Sequence, residues 1–229
     1  MKLSFTGFEN TLDILPGRIS VLQIESIHLF SRVCQSLLEQ GRQEPLEPFS
    51  LWSDDGKELS KLNSFLSVAN LFNLPWQNRA LLTSLYERID RLIKEDDLLR
   101  QKIESSHQEF EHLIIDASLR LNGSYLFGTD WSVSQSLKAY SFIINRSDSS
   151  TLFDNLIRFI EFVHDVALEK ILIFVNLEKF LTKNELIEFE TQLFFHNIPA
   201  LVLVQGSKKL PLKNSKNLFI DQEFLEVLS

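Results

Sequence analysis

Residues 171–175 read Ile-Leu-Ile-Phe-Val, five apolar side chains in a row with no polar alternation. A strand wetted on one face alternates, so an unbroken run describes a strand covered on both faces, as in a parallel sheet between helices. The next residues agree. Thr182 and Glu185 have capping-box spacing, in which hydroxyl and carboxylate each take one orphan N–H at a helix start. Leu186, Phe189, Leu193 and Phe194 then give that helix an apolar stripe. Pro199 closes it, and Ala200-Leu201-Val202-Leu203-Val204 is a second unalternating run. A strand–helix–strand unit of this kind implies a parallel sheet with a right-handed crossover. Leu218-Phe219-Ile220 is a candidate for a last short strand.

The opening residues supply more of the same layer. Leu3-Ser4-Phe5 and Ile19–Ile24 read as strands separated by the Pro16-Gly17 turn signal. Ile27–Gln40 reads as a helix with Ile27, Phe30, Val33, Cys34, Leu37 and Leu38 on one face and Gly41 as its stop. An edge strand is expected near Phe49–Trp52 and a short helix over Lys61–Phe72, ended by Pro75. From Leu82 to Ala117 a rhythm of threes and fours predicts one long helix of about 40 residues, with polar Asp96 and Ser106 at two seam positions. Asn122-Gly123-Ser124 would end it; Ser132 and Gln135 would cap a second helix to about Ile144; Leu152–Val166 would be a third, packed along the first. The expected organisation is an α/β head at 1–75 and 169–229, with an α-helical leg inserted at 76–168. A compact helical bundle is the alternative for the insert.

A parallel sheet invites a search for a nucleotide site, and its chemistry is missing. A phosphate loop needs glycines for close backbone approach and a Lys-Ser/Thr pair for phosphate and magnesium. Here the strand Ile19–Ile24 runs into Glu25-Ser26-Ile27-His28-Leu29, and Asn176 stands where a metal-binding acid would follow the strand Ile171–Val175. ATP hydrolysis is therefore not expected. The five histidines show no metal-ligand spacing, no nucleophile elbow occurs, and Cys34 sits on an apolar helix face. No enzyme is read from these residues.

Net charge is −8, which excludes a uniformly basic coat but not a local one. Residues 206–216 carry Lys208, Lys209, Lys213 and Lys216 and no acid, directly after a buried strand. Loops at the carboxyl ends of parallel strands line the ligand-facing edge, where Lys179 and Lys183 would join them. These six are the candidate phosphate contacts, and they carry no base specificity. A solvated loop is the structural alternative. Phenylalanine (19 residues, against three Tyr and three Trp) has no polar handle and speaks for a buried core. No stretch is long and apolar enough for a membrane span, no signal peptide is read, and a single cysteine fits the reducing cytoplasm.

Lys170–Asn176 followed by Phe180–Leu186 resembles the strand and capped helix of the ring-forming adaptation protein of type II-A CRISPR systems. Lys2–Phe5, Ile19–Glu25 with Phe30-Ser31, and Leu66–Leu71 are similar to the same family's opening elements. The resemblance runs through nearly the whole chain and rests on hydrophobic patterns, most specifically in the C-terminal block. It implies a head of degenerate P-loop-NTPase-like topology, a homotetrameric ring, and sequence-independent binding of double-stranded DNA ends without nucleotide hydrolysis. It further implies a role in spacer acquisition beside the CRISPR integrase proteins and the effector nuclease. Calcium supports the ring in family members with an acid-rich stretch between leg helices. The corresponding 116–130 offers only Asp116 and Asp130, a thin carboxylate supply for a hard cation, so no cofactor is certain. The competing classes are a protein-interaction scaffold with no direct DNA role and a nucleotide-dependent enzyme.

Overall fold

The computed structural model describes residues 1–39, 45–128, 130–145 and 151–229. The chain divides into two compact units, Met1–Trp76 with Arg146–Ser229, and Gln77–Asn145. The first is a mixed α/β unit whose sheet is mostly parallel. Its strands are β1 Lys2–Phe5, β2 Leu12–Asp13, β3 Ile19–Ile24, β4 Phe49–Trp52, β5 Phe65–Val68, β6 Ile171–Val175, β7 Ala200–Gln205, β8 Lys216–Ile220 and β9 Glu226–Leu228. Its helices are α1 Ile27–Leu38, the single turn α2 Lys61–Ser64, α6 Leu152–Asp165 and α7 Lys183–Phe195. The second unit holds α3 Arg79–Glu95, α4 Asp97–Ser118 and α5 Val133–Ala139.

Six strands form the main sheet in the order β5-β6-β7-β3-β8-β9, and a small separate sheet runs β2-β1-β4. The first five of the six are parallel; only β9 is antiparallel, against β8. Alternate residues of β6 serve opposite faces, as a strand covered on both sides requires. Ile171 and Ile173 join Leu22, Ile24, Leu201, Leu203 and Leu218 in a cluster with Val33 and Leu37 of α1 and Leu3 and Leu51 of the small sheet. On the other face Phe174 meets Phe189 of α7 edge to face, ring centroids 5.3 Å apart. Helices and the small sheet thus seal the layer from both sides.

Three expectations change. The helix foreseen over Lys61–Phe72 is one turn, and Phe65–Val68 leaves it to become the edge strand β5, paired in parallel with β6. A four-residue segment with three apolar side chains suits either state, and the open edge of β6 decides for the strand. The long helix over Leu82–Ala117 is two helices, broken at Asp96. That residue is extended (φ −113°, ψ 97°), and its carboxylate accepts from the Leu99 N–H at 3.0 Å, capping α4. The polar seam residue is a helix end. The helix Leu152–Asp165 belongs to the α/β unit rather than to the helical insert. It buries Leu156, Phe159, Ile160, Phe162 and Val163, and Trp76 stands edge to face on Phe159 at 5.2 Å. So wide an apolar face suits a packed α/β core rather than a coiled-coil seam. The insert therefore ends at 145 rather than 168.

Smaller differences concern ends. The helix capped by Ser132 stops at Ala139, and α4 stops at Ser118, ahead of Asn122-Gly123-Ser124. Gly41, expected to stop α1, lies outside the described residues. No helix among the described residues is long and apolar enough to cross a membrane.

Candidate nucleic-acid interface

In a parallel sheet the carboxyl ends of the strands share one edge, and their connecting loops meet there. The central strand β3 enters α1 through only two residues, Glu25 and Ser26. Both are engaged locally. The Glu25 N–H donates to Ile220 O at 2.9 Å, and its carbonyl accepts from Gln205 Nε2 at 3.2 Å. Ser26 Oγ accepts from the Leu29 N–H at the start of α1. The Glu25 N–H is thereby committed to the neighbouring strand, and the turn carries neither the glycines nor the lysine of a phosphate loop.

After β6 the chain turns at Asn176, which adopts the left-handed conformation (φ 50°, ψ 40°) that Asn tolerates better than most residues. Its N–H donates to Leu203 O at 2.8 Å, and its Oδ1 accepts from the Gln205 N–H at 3.0 Å. Asn176 thus ties the end of β6 to the end of β7 through its N–H and its side-chain oxygen. A 3₁₀ turn, Leu177–Lys179, follows and leaves Lys179 exposed at its end. Glu178 turns inward instead. Its Oε2 is shut off from solvent without a hydrogen-bond partner, and burial raises its carboxyl pKa above the usual range. The expected capping box then opens α7: Glu185 Oε2 accepts from the Thr182 N–H at 2.7 Å, and Thr182 Oγ1 accepts from the Glu185 N–H at 3.3 Å. The Thr182 N–H and hydroxyl, both donating to Oε2, hold the Glu185 carboxyl below its ordinary value.

The lysine-rich segment 206–215 is a helix-free crossover. It leaves β7 beside Ile24 and enters β8 beside Ser20, so it descends from the carboxyl edge of the sheet to the amino edge. Gly206 starts it at φ 113°, a backbone region that favours glycine. Two buried polar side chains pin it. Gln23 of β3 donates through Nε2 to Gly206 O at 2.6 Å and to Lys208 O at 3.2 Å. Glu190 of α7 accepts from the N–H groups of Lys213 and Asn214 at 3.1 and 2.9 Å.

This path sorts the six candidate lysines. Lys183, Lys208 and Lys209 line one cavity of about 280 Å³, with Glu178, Leu181 and Leu210 among its other walls. Lys179 ends the turn before α7 and does not line that cavity. Lys213 lies lower on the crossover, lining a second recess with Lys209. Lys216 pairs with Ser20 at the amino edge, away from the strand ends where a single carboxyl-edge patch would need it. Sequence reasoning missed the tether residues Gln23 and Glu190. Glu190 did leave a signal, because it falls within the apolar stripe Leu186, Phe189, Leu193 and a carboxylate there needs a buried partner.

The metal candidates stand differently. Asp116 lies on the last turn of α4; Asp130 is exposed beside a cavity of about 720 Å³ in the helical unit that Asp116 does not line. Among the described residues no group of three or more His, Cys, Asp or Glu is placed to hold a metal ion. In that same cavity His107 stacks on Trp131, ring centroids 4.4 Å apart, with Nε2 3.0 Å from Glu111 Oε1 but out of line for a hydrogen bond.

A family model described as CRISPR-associated protein (Cas_Csn2) matches residues 45–224, which spans most of the chain. The chain belongs to the Cas_Csn2 family. Membership makes it a CRISPR-associated protein and implies a part in CRISPR adaptation. The fold is also similar to that in the crystal structure of Stu0660 of Streptococcus thermophilus, with a TM-score of 0.60 at 13% identity, covering 100% of this chain and 76% of that one. At that identity the likeness concerns the fold alone. No curated protein matches the chain.

Proposed function

We propose that this Cas_Csn2 chain is a non-enzymatic, cytoplasmic ring protein that binds the ends of double-stranded DNA without reading bases. It would act in spacer acquisition beside the CRISPR integrase proteins and the effector nuclease. The observation that carries this reading is the gathering of Lys183, Lys208 and Lys209 around one recess, in a unit whose β3–α1 turn has no phosphate loop. We read the α/β unit as a P-loop-like scaffold: its central parallel strand still runs into a helix, while the connecting turn is bonded to the ends of β7 and β8. Cations on such a scaffold suit a phosphate backbone outside the old nucleotide position.

A homotetramer is supported by the helical unit, where α4 buries none of its side chains yet carries Leu99, Phe110, Leu113 and Ile114. The same exposed apolar residues favour the second reading, a scaffold that recruits protein partners through these helices. DNA binding separates the two. Linear duplex should bind, closed circular duplex should bind less, and log K should fall with log salt at a slope near −0.9 per phosphate contacted. Exchanging Lys183, Lys208 and Lys209 for Glu should lower duplex affinity at least about tenfold and flatten that slope. Unchanged affinity and slope would sink the assignment of this recess.

A further inference from the structure

The carboxyl edge of the main sheet is not chemically uniform. Following the strand order, the loops after β5, β6 and β7 carry Phe72, then Lys179 and Phe180, then Lys208 and Lys209. The loops after β3 and β8 carry Glu25 and Asp221. One half of the edge is therefore aromatic and cationic, the other acidic. Of the two acids within the cationic half, Glu178 is turned inward, while Glu185 keeps its charge and directs it onto the Thr182 N–H and hydroxyl at the start of α7.

The aromatic pair is left open to solvent. Phe72 is 73% exposed and Phe180 48% exposed, and their rings meet edge to face at 5.4 Å. An Asx turn holds Phe72 outward, with Asn70 Oδ1 accepting from the Phe72 N–H at 3.0 Å and Asn70 O accepting from the Asn73 N–H at 3.2 Å. Large apolar rings held in water by a built turn, beside lysines on the same edge, are the combination that receives single-stranded nucleic acid. The rings offer faces for bases, and the cations take the phosphates.

We infer that Phe72 and Phe180, with Lys179 and Lys183, form a stacking platform for unpaired nucleotides at the end of a DNA duplex. This rests on the DNA-end reading above and gives it a preference for tailed over blunt ends. Charge selects this occupant over an apolar peptide, since lysines and phenylalanines together suit a polyanion with flat faces.

The test compares a blunt duplex, the same duplex with a single-stranded thymidine tail, and oligothymidylate alone, by fluorescence anisotropy. Wild-type protein should bind the tailed duplex roughly tenfold tighter than the blunt one. The Phe72→Ala, Phe180→Ala double variant should lose that excess and keep blunt-duplex affinity, while Phe72→Tyr with Phe180→Tyr should retain it. Both positions are exposed, so thermal unfolding should be nearly unchanged, and that measurement separates loss of binding from loss of fold. Equal wild-type affinity for blunt and tailed duplex overturns the inference. So does an excess that survives in the alanine variant, including the case where that variant loses only a protein partner. Binding of oligothymidylate through the pair with no duplex binding would leave this platform standing and remove the DNA-end ring.

Discussion

Glu190 places a carboxylate on the apolar side of α7, where it is 7% exposed. It persists because two backbone N–H groups of the crossover aim at it, from Lys213 and Asn214. A buried charge without such donors would be costly, and donors left without the charge would be costly too. Glu190→Ala should therefore destabilise the α/β unit by about 2–3 kcal/mol, read as a lower urea midpoint at unchanged slope. Proteolysis within 206–215 should quicken in the same variant. Glu190→Gln, keeping one acceptor oxygen, should fall between the two. Cys34 shows the opposite use of burial: enclosure pushes its thiol up to about 12, leaving almost no thiolate at neutral pH. That agrees with its reading as a core residue rather than a nucleophile. Asn176 is the position where the residue alone misled least. Its lack of charge excluded a metal acid, and its left-handed turn accounts for what stands there instead.

At the scale of elements, periodicity succeeded where an element is long or sealed on both faces. β6, β7 and the capped helix α7 were all legible. An unalternating apolar run suits a doubly covered strand, and a Thr–Glu pair three residues apart suits a helix start; few structures besides these need either pattern. β5 was not legible, since three apolar residues among four do not distinguish strand from helix and its pairing partner lies more than a hundred residues away. Nor was the break at Asp96. A heptad-like stripe tolerates occasional polar residues, and only the backbone shows that this one is a cap. Asp96→Ala should remove the acceptor for the Leu99 N–H and cost about 1 kcal/mol at the start of α4. Hydrogen exchange should detect it as faster exchange at the Leu99 amide; protection equal to wild type would show that the cap contributes nothing.

For the whole molecule, the contrast between units matters most. The α/β unit seals its sheet on both faces, whereas α4 buries no side chain and leaves Phe110 53% and Leu113 61% exposed. Exposed apolar surface on this scale calls for another chain. In sedimentation, Phe110→Glu with Leu113→Glu should shift the protein from an oligomer to a monomer without unfolding the α/β unit. If the chain assembles as proposed, the same sedimentation with and without a chelator tests whether a cation takes part; Asp116 and Asp130 do not line one cavity. A wild-type monomer, or an oligomer unmoved by both charges, would contradict assembly through this helix.

The amino-acid sequence by itself determined the parallel layer, the missing phosphate loop and the family resemblance. These depend on residues close together in the chain, where hydrophobic pattern and turn chemistry act directly. Tertiary structure alone decided that Leu152–Asp165 belongs to the α/β unit, that Lys183 joins Lys208 and Lys209 while Lys216 lies at the far edge, and that Phe72 meets Phe180. Each of those depends on strand order, which brings together residues far apart in the chain. No local spacing encodes which strand lies beside which, because that choice is made by burying the whole sheet at once.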